Sequence, residues 1–451
     1  MSIEIINTLG QVLNEAAPKF DRLDRYYSGT QPLAFLPEEV RTATGGRLFS
    51  LATNWPRLVV SAVEERLDVE GFRLGRDEPA DADLWRIWQA NGLDEVSQLA
   101  HTEALVLGRA YAIVWAGEDT ATPMITVESA RQVYVARHPG TRRATAALKR
   151  WTEDGYGRAT VYEPDKVTRW RSLARVPEGD GIPDPSFVPA GGWSLLETIP
   201  NPLGIVPVVP LVNRPRLIAA DGESELADVI GLADAVNKLS VDLLTSSEFH
   251  AMPRRWATGI EIVEDDDGEP VEAFSKVAGR EWIAEDPETR FGQFPEATLD
   301  GFISAIGMFT KHIAALSGLP PHYLLLGGNQ PASADAIRSA EASLVAKARR
   351  RMRAYGGSWE DVMRLAVLVR DGRPAAGMEA LETIWRDPET RTVAQAADAA
   401  VKKRDIGVPF AQLAEDLGYT PTQVQRMRGQ RRADALDAAA VDFDGLIDEA
   451  S

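Results

Sequence analysis

LDGFISAIGMFTKHIAALSGLPPHYLLLGGNQPASADAIRSAEASLVAKARRRMR runs from Leu299 to Arg353. Leu299, Phe302, Ile303, Ile306, Phe309, Ile313 and Leu316 recur at three- and four-residue spacing, which predicts an amphipathic helix. Thr298 suits its N-cap, and Gly318 with Pro320-Pro321 stops it. Residues 319–332 then carry Gly327-Gly328-Asn329-Gln330-Pro331, unfit for helix or strand. Ser333 caps a second long helix with Ile337, Ala340, Leu344, Val345, Ala348 and Met352 on its apolar face. Lys347, Arg349, Arg350, Arg351 and Arg353 crowd its middle. The stretch is two helices joined by an irregular loop.

Upstream, a further long helix starts near Ser224, with Leu226, Val229, Ile230, Ala233, Val236, Leu239, Leu243 and Leu244 on one face. It stops by Pro253. Residues 258–297 read as a small hairpin module, with Ile260–Val263 and Val271–Phe274 about a Glu264–Gly268 turn. Residues 260–297 hold twelve acidic side chains against Lys276, Arg280 and Arg290. Such a segment either steers a basic partner or keeps an exposed rim soluble.

Further out the period changes. From Ala110 to about Val209, short runs such as Tyr111–Trp115, Ala144–Trp151, Ala159–Tyr162 and Val167–Trp170 alternate with Gly, Pro and Asp turns, predicting an antiparallel strand-rich module. Residues 176–192 are a Pro/Gly loop, and Ile205–Pro210 is extended because prolines bar a helix. Residues 1 to about 70 read as helical, with Ile5, Leu9, Leu13 and Phe20 as a stripe and Gly29 as a stop. Beyond Asp371 the chain reads as helical and Ala-rich, down to an acidic tail from Asp442. No internal repeat is visible.

The 451 residues suffice for two or three cores, and 44% apolar content excludes wholesale disorder. No run approaches the length of a membrane helix. Glu4 and the missing basic n-region speak against a signal peptide. Zero cysteines removes disulfides, thiolate nucleophiles and Cys-based zinc sites, as suits an intracellular protein. The net charge of −18 fits either plain solubility or a surface that lets DNA slide past.

The search for catalysis is mostly empty. There is no GxxxxGK[ST] phosphate loop, no GxSxG elbow and no HExxH helix. His101, His138, His250, His312 and His322 lack metal-ligand spacing. Asp265-Asp266-Asp267-Gly268 mimics a calcium loop, but Pro270 stands where the loop needs Gly and Lys276 where it needs Glu. No catalytic residue, metal or cofactor is therefore expected. A carboxylate hydrolase has no recognisable residue pair to rest on. One lure remains: Phe410–Met427, two helices about a Gly turn followed by Arg428, Arg431 and Arg432, resembles a helix-turn-helix and leaves a DNA-binding regulator as the alternative.

Taken in order, these modules resemble the SPP1 Gp6-like portal proteins of tailed bacteriophages. The most specific stretches are Tyr26-Tyr27-Ser28-Gly29, the Ser224–Glu248 helix, Ala314–Glu341 and Thr392–Tyr419. The resemblance implies an α+β, predominantly helical portal fold that assembles as a ring. Residues 1–222 would form the wing, 223–257 a stem helix, 258–297 the clip, 298–318 the second stem helix, 319–332 the tunnel loop, 333–371 a long wing helix, and 372–451 the crown and acidic tail.

It implies a homo-dodecameric channel at a virion's capsid vertex, assembled in the host cytoplasm. Double-stranded DNA would pass through it non-specifically, and no membrane is involved. The other partners would be the large terminase subunit, head-completion or adaptor proteins, and capsid and scaffolding proteins. Leu326, Gly327, Gly328, Asn329, Gln330 and Pro331 would face DNA, unless the loop is only a helix connector. Asp265, Asp266, Asp267, Glu269 and Glu272 would meet clip partners. For Arg349, Arg350 and Arg351, intersubunit pairing is the favoured role, against a channel belt or a solvated face.

Overall fold

The computed structural model describes residues 2–32, 52–75, 79–117, 122–176, 192–250, 255–259, 288–293, 298–324, 334–389, 393–419 and 421–448. The expected hairpin at 260–274, Leu326–Pro331, the Ser333 cap and most of the 176–192 loop lie outside them. The chain divides into two compact units: residues 1–31, 54–230 and 315–451, and residues 32–53 with 231–314.

The larger unit opens with α1 (Ser2–Ser28), stopped as predicted at Gly29, whose φ of 77° suits a residue without Cβ. Its face of Ile6, Leu9 and Leu13 packs on Leu148, Ala159, Val161 and Trp193. Helix α2 (Trp55–Glu64) carries Pro56 in its first turn. Strand β1 (Val69–Leu74) follows, then α3 (Ala82–Ala90) and α4 (Leu93–Leu107). The Asp81 carboxylate caps α3, accepting from the amides of Asp83 at 2.8 Å and Leu84 at 3.0 Å.

The strand-rich module is present as read. It comprises β2 (Arg109–Trp115), β3 (Met124–Ser129), β4 (Val133–Arg137), β5 (Ala144–Glu153), β6 (Tyr156–Tyr162), β7 (Lys166–Arg175), β8 (Trp193–Pro200) and β9 (Val208–Val212). They form an antiparallel three-stranded sheet, β3-β2-β9, and an antiparallel five-stranded sheet, β4 to β8 in sequence order. Strand β6 buries Gly157, Ala159 and Val161 on one face, and Thr160 on the other is buried as well.

In the smaller unit, α5 (Ile230–His250) buries Ala233, Val236 and Val241. The Asn237 Oδ1 accepts from the amide of Thr53 at 3.0 Å. Strands β10 (Arg255–Thr258) and β11 (Arg290–Gln293) pair antiparallel, so the flanks of the acidic segment lie side by side. Helix α6 (Asp300–Ser317) follows. It begins later than Thr298 would set it, with the Leu299 carbonyl accepting from Phe302 and Ile303 at 3.1 and 3.3 Å.

Back in the larger unit come α7 (Ala334–Asp371), β12 (Leu381–Trp385), α8 (Val393–Asp405), α9 (Phe410–Asp416) and α10 (Pro421–Asp448). Helix α7 buries Leu344, Ala348, Tyr355, Trp359, Val362, Met363 and Ala366 almost completely. Around it lies an aromatic core: Trp88 meets Trp359 edge-on at 5.0 Å and Phe72 at 5.4 Å, and His101 stacks on Tyr355 at 5.3 Å.

Two expectations are corrected. The stretch read as helical to about residue 70 ends in a strand, Val69–Leu74, paired with β12 from beyond Asp371, a region read as helical. Helix α5 starts at Ile230, not near Ser224, because the Ser224 hydroxyl accepts from the amide of Leu226 at 3.0 Å and winds residues 224–229 into turns. The mixture of helix and sheet, with helix the larger share, agrees with the α+β, predominantly helical reading.

Candidate functional site

The loop between α6 and α7 is approached by two anchored flanks within the larger unit. Gly318 turns the chain at φ 72°, and a Cβ there would stand 2.9 Å from Ser343 Oγ. Leu319 is buried just before a short 3-10 turn, Pro321–Leu324, and Leu324 is buried at the end of it. From α2's C-terminal end comes Arg66. Its guanidinium donates to the Tyr323 hydroxyl at 3.0 Å and to the Ala62 carbonyl at 3.0 Å, and stands 3.7 Å from the Glu341 carboxylate. Tyr323 precedes the loop and Glu341 follows it. One cation, itself 9% exposed in its side chain, therefore ties both roots together.

A second anchor sits further along α7. Glu225 lies in the turns that lead to α5, with its side chain 2% exposed. It accepts from Arg351 Nε at 2.9 Å and pairs with Lys347 Nζ at 3.1 Å. Burial alone would raise its proton affinity, but the Lys347 and Arg351 charges outweigh that and hold the carboxyl below the ordinary range. The backbone is fixed as well: Glu225 N donates to the Leu105 carbonyl at 2.9 Å, and Glu223 N to that of Asn213 at 2.9 Å. At Gly222, φ 80°, a Cβ would meet the Asn213 and Gly108 carbonyls at 2.4 Å, so only glycine fits.

These contacts redistribute the basic run of α7. Arg351 is 5% exposed and answered within its own chain, so the intersubunit role expected for it gives way to an internal one. Arg349 reaches Glu389 and, at 3.6 Å, Asp387. Arg350 is exposed and makes no ion pair with a described residue. The loop residues Leu326–Pro331 and the clip residues Asp265–Asp267, Glu269 and Glu272 lie outside the described residues.

The remaining candidates are structural in their surroundings. His101 is fully buried and accepts from the Trp359 indole at 2.9 Å; desolvation pushes its pKa down to about 3, so it is neutral. Among the described residues no group of three or more His, Asp or Glu is placed to hold a metal ion, and no helix is long and apolar enough to cross a membrane. The α9–α10 pair turns at Gly418, φ 89°, and packs through Leu413, Ala414 and Val424. Arg431 lies 4.2 Å from the Phe410 ring centroid, while Arg426, Arg428 and Arg432 are exposed.

The sequence profile of the family described as phage portal protein, SPP1 Gp6-like, matches residues 8–412. The chain belongs to that family. It is 35% identical over 414 residues to the portal protein of Mycobacterium phage D29, covering 87% of this chain and 81% of that one. It is 35% identical over 393 residues to the portal protein of Mycobacterium phage L5, covering 83% and 77%. A chain from the virion of a native gene transfer agent particle is 14% identical, with TM-score 0.46, covering 84% of this chain and 91% of that one. At that distance the likeness adds nothing to the assignment. As a member of this portal family the chain is a bacteriophage virion component, and its described anchors are those of a structural scaffold.

Sequence reasoning had no access to Arg66 or Glu225. Neither residue sits in a motif, and the Tyr323 and Arg351 that answer them lie more than a hundred residues away along the chain. The one available signal was Gly222 before Ser224, a glycine ahead of a cap-type residue.

Proposed function

We propose that the chain is one subunit of a closed ring, a homo-dodecamer at one capsid vertex, through which double-stranded DNA is packaged and later ejected. The observation that carries this reading beyond family membership is the Arg66 clamp, which draws Tyr323 and Glu341 onto one guanidinium and gives residues 325–333 two fixed roots. Fixed roots on both sides suit a loop that works as a channel constriction. Its Gly327, Gly328, Asn329 and Gln330 carry no charge, so they would pass phosphate without adding affinity.

In this reading the acidic segment beyond β10 and β11 meets the terminase and then head-completion proteins, steering basic surfaces toward it. Arg350, exposed on α7, keeps the intersubunit role first expected for the whole run. Assembly takes place in the host cytoplasm, with capsid and scaffolding proteins as neighbours.

Electron microscopy of the purified chain tests the ring. Closed rings with an axial hole support it, and a compact monomer at all concentrations refutes it. Deleting Leu326–Pro331 tests the loop: rings should persist while packaged DNA falls. Packaging at the wild-type level would remove the loop from the mechanism.

A further inference from the structure

Arg109, Arg131, Arg158 and Arg214 each face a carboxylate. Against that habit, and in a chain of net charge −18, Arg137, Arg142, Arg143 and Arg216 make no ion pair with a described residue. They converge. A cavity of about 520 Å3 is lined by Arg137, Arg142, Arg216 and Leu217, and a second of about 770 Å3 shares Arg137 and Arg142 and adds Arg143. The floor of the second is apolar, with Val206, Val208, Leu365 and Met378. Beside this trough Leu217 is 82% exposed and Ile218 fully exposed.

Both rims are rigid. The His138 Nδ1 accepts from the amides of Gly140 and Thr141 at 3.2 Å, and Arg142 N donates to the His138 carbonyl at 2.7 Å, fixing Arg142 at φ 58°. Across the trough, Asn213 Nδ2 donates to the Glu223 carbonyl at 2.7 Å and Arg216 N to that of Ala219 at 3.1 Å, closing the loop that carries Leu217 and Ile218. A preorganised surface loses little entropy on docking. Of the acids that line the two cavities, Asp221 is answered by Arg109 and Asp361 by Arg364, while Glu379 is an exposed acid among four arginines of the second.

We infer that this trough is one of the two unlike faces by which one copy of the chain binds a second copy, receiving an acidic and apolar surface of its neighbour. The inference rests on the ring reading, since a ring needs a heterologous contact between two different patches. Net charge identifies the occupant: a basic trough on an acidic chain is complementary to the remainder of that same chain. DNA is a poor fit, because Leu217 and Ile218 offer nothing to phosphate. A flat lipid surface cannot fill a concave trough.

The test compares the full chain with R142E/R143E and, separately, I218S, by mass photometry across protein concentration and salt. The wild type should form closed rings. R142E/R143E should raise the concentration for half-assembly about tenfold or more at low salt, with the gap narrowing as salt screens the contact. I218S should raise it about tenfold at every salt. All three residues are surface groups, and an unchanged thermal midpoint in both variants verifies folding. Wild-type rings with both variants assembling at the wild-type concentration would overturn this inference and leave the ring reading intact. A wild type that never self-associates would overturn both. Normal assembly with lost duplex binding would reassign the trough to phosphate and also overturn it.

Discussion

The two long helices either side of residues 325–333 differ in what they leave in water. Helix α7 has Trp359, Tyr355, Val362 and Ala366 fully buried, and answers its inward charge with Glu225. Helix α6 buries Ile313 at the centre of its apolar stripe, but leaves Ile303 59% and Leu316 58% exposed. Those two stand at the opposite edges of the stripe, each about 60–80° from Ile313 by helical geometry. One helix is finished by its own chain and the other is not. Single exposed apolar side chains are ordinary on a protein surface, so whether a neighbour covers these two is a matter for experiment.

The largest effect should come from breaking what α7 answers internally. E225Q leaves Lys347 and Arg351 without a counter-charge, and removing one partner of a buried pair costs about 3–5 kcal/mol. Denaturant unfolding measures it; a loss below about 1 kcal/mol would show that the pair contributes little. The pH dependence follows the same sign. The folded carboxyl is held below its ordinary pKa, so its stabilisation is present above the unfolded value near 4.5 and disappears only as pH falls through the lowered one.

Next comes the loop root. R66A removes the bonds to Tyr323 and Ala62 and leaves Glu341 without its cation, a loss of about 2 kcal/mol for the hydrogen bonds and desolvated partners together. R66K should recover only part, since one ammonium lacks the fork needed to reach both roots. Limited proteolysis within 325–333 should accelerate in R66A well beyond its global destabilisation. Cleavage that tracks global stability alone would mean that Arg66 does not hold the loop.

His101 gives a pH signature for the core on the α7 side. Its folded pKa of about 3 lies below the unfolded value near 6.5, so stability is complete above 6.5 and falls as pH drops toward 3. The slope approaches about 1.4 kcal/mol per pH unit in that window. H101Q, which keeps an acceptor for the Trp359 indole, should flatten it; an unaltered pH profile of the thermal midpoint would assign the slope to other groups.

How much of this was legible follows from interaction range. The stripes of α1, α6 and α7 and the runs within β2, β5, β6 and β7 are written in local periodicity, so their reading survived, whereas β3, β4 and β8 were covered only by the general reading of a strand-rich module. Strand β1 was missed because its partner Leu381–Trp385 lies some three hundred residues away, and a six-residue run ending in Phe72, Arg73 and Leu74 says nothing of it. The start of α5 moved because the Ser224 hydroxyl competes with helix geometry, an effect propensity does not encode. Of the candidate site, the sequence marked the loop by its Gly/Pro content but not the residues that hold it. Arg66, Tyr323 and Glu341 come from three separate elements and meet only in the fold.

The smallest change in the isolated chain should come from α6, and there the comparison is sharpest. I303S and L316S replace side chains already in water, so each should shift monomer stability by no more than about 0.5 kcal/mol. If the stripe's edges are completed by a neighbour, the same substitutions should weaken assembly, each costing about 1–2 kcal/mol of contact, or roughly tenfold in the concentration for half-assembly. An equivalent substitution at buried Ile313 should do the reverse, destabilising the monomer by several kcal/mol. If I303S and L316S assembled like wild type, the open edges would be an ordinary solvated face, and α6 would differ from α7 only in depth of burial.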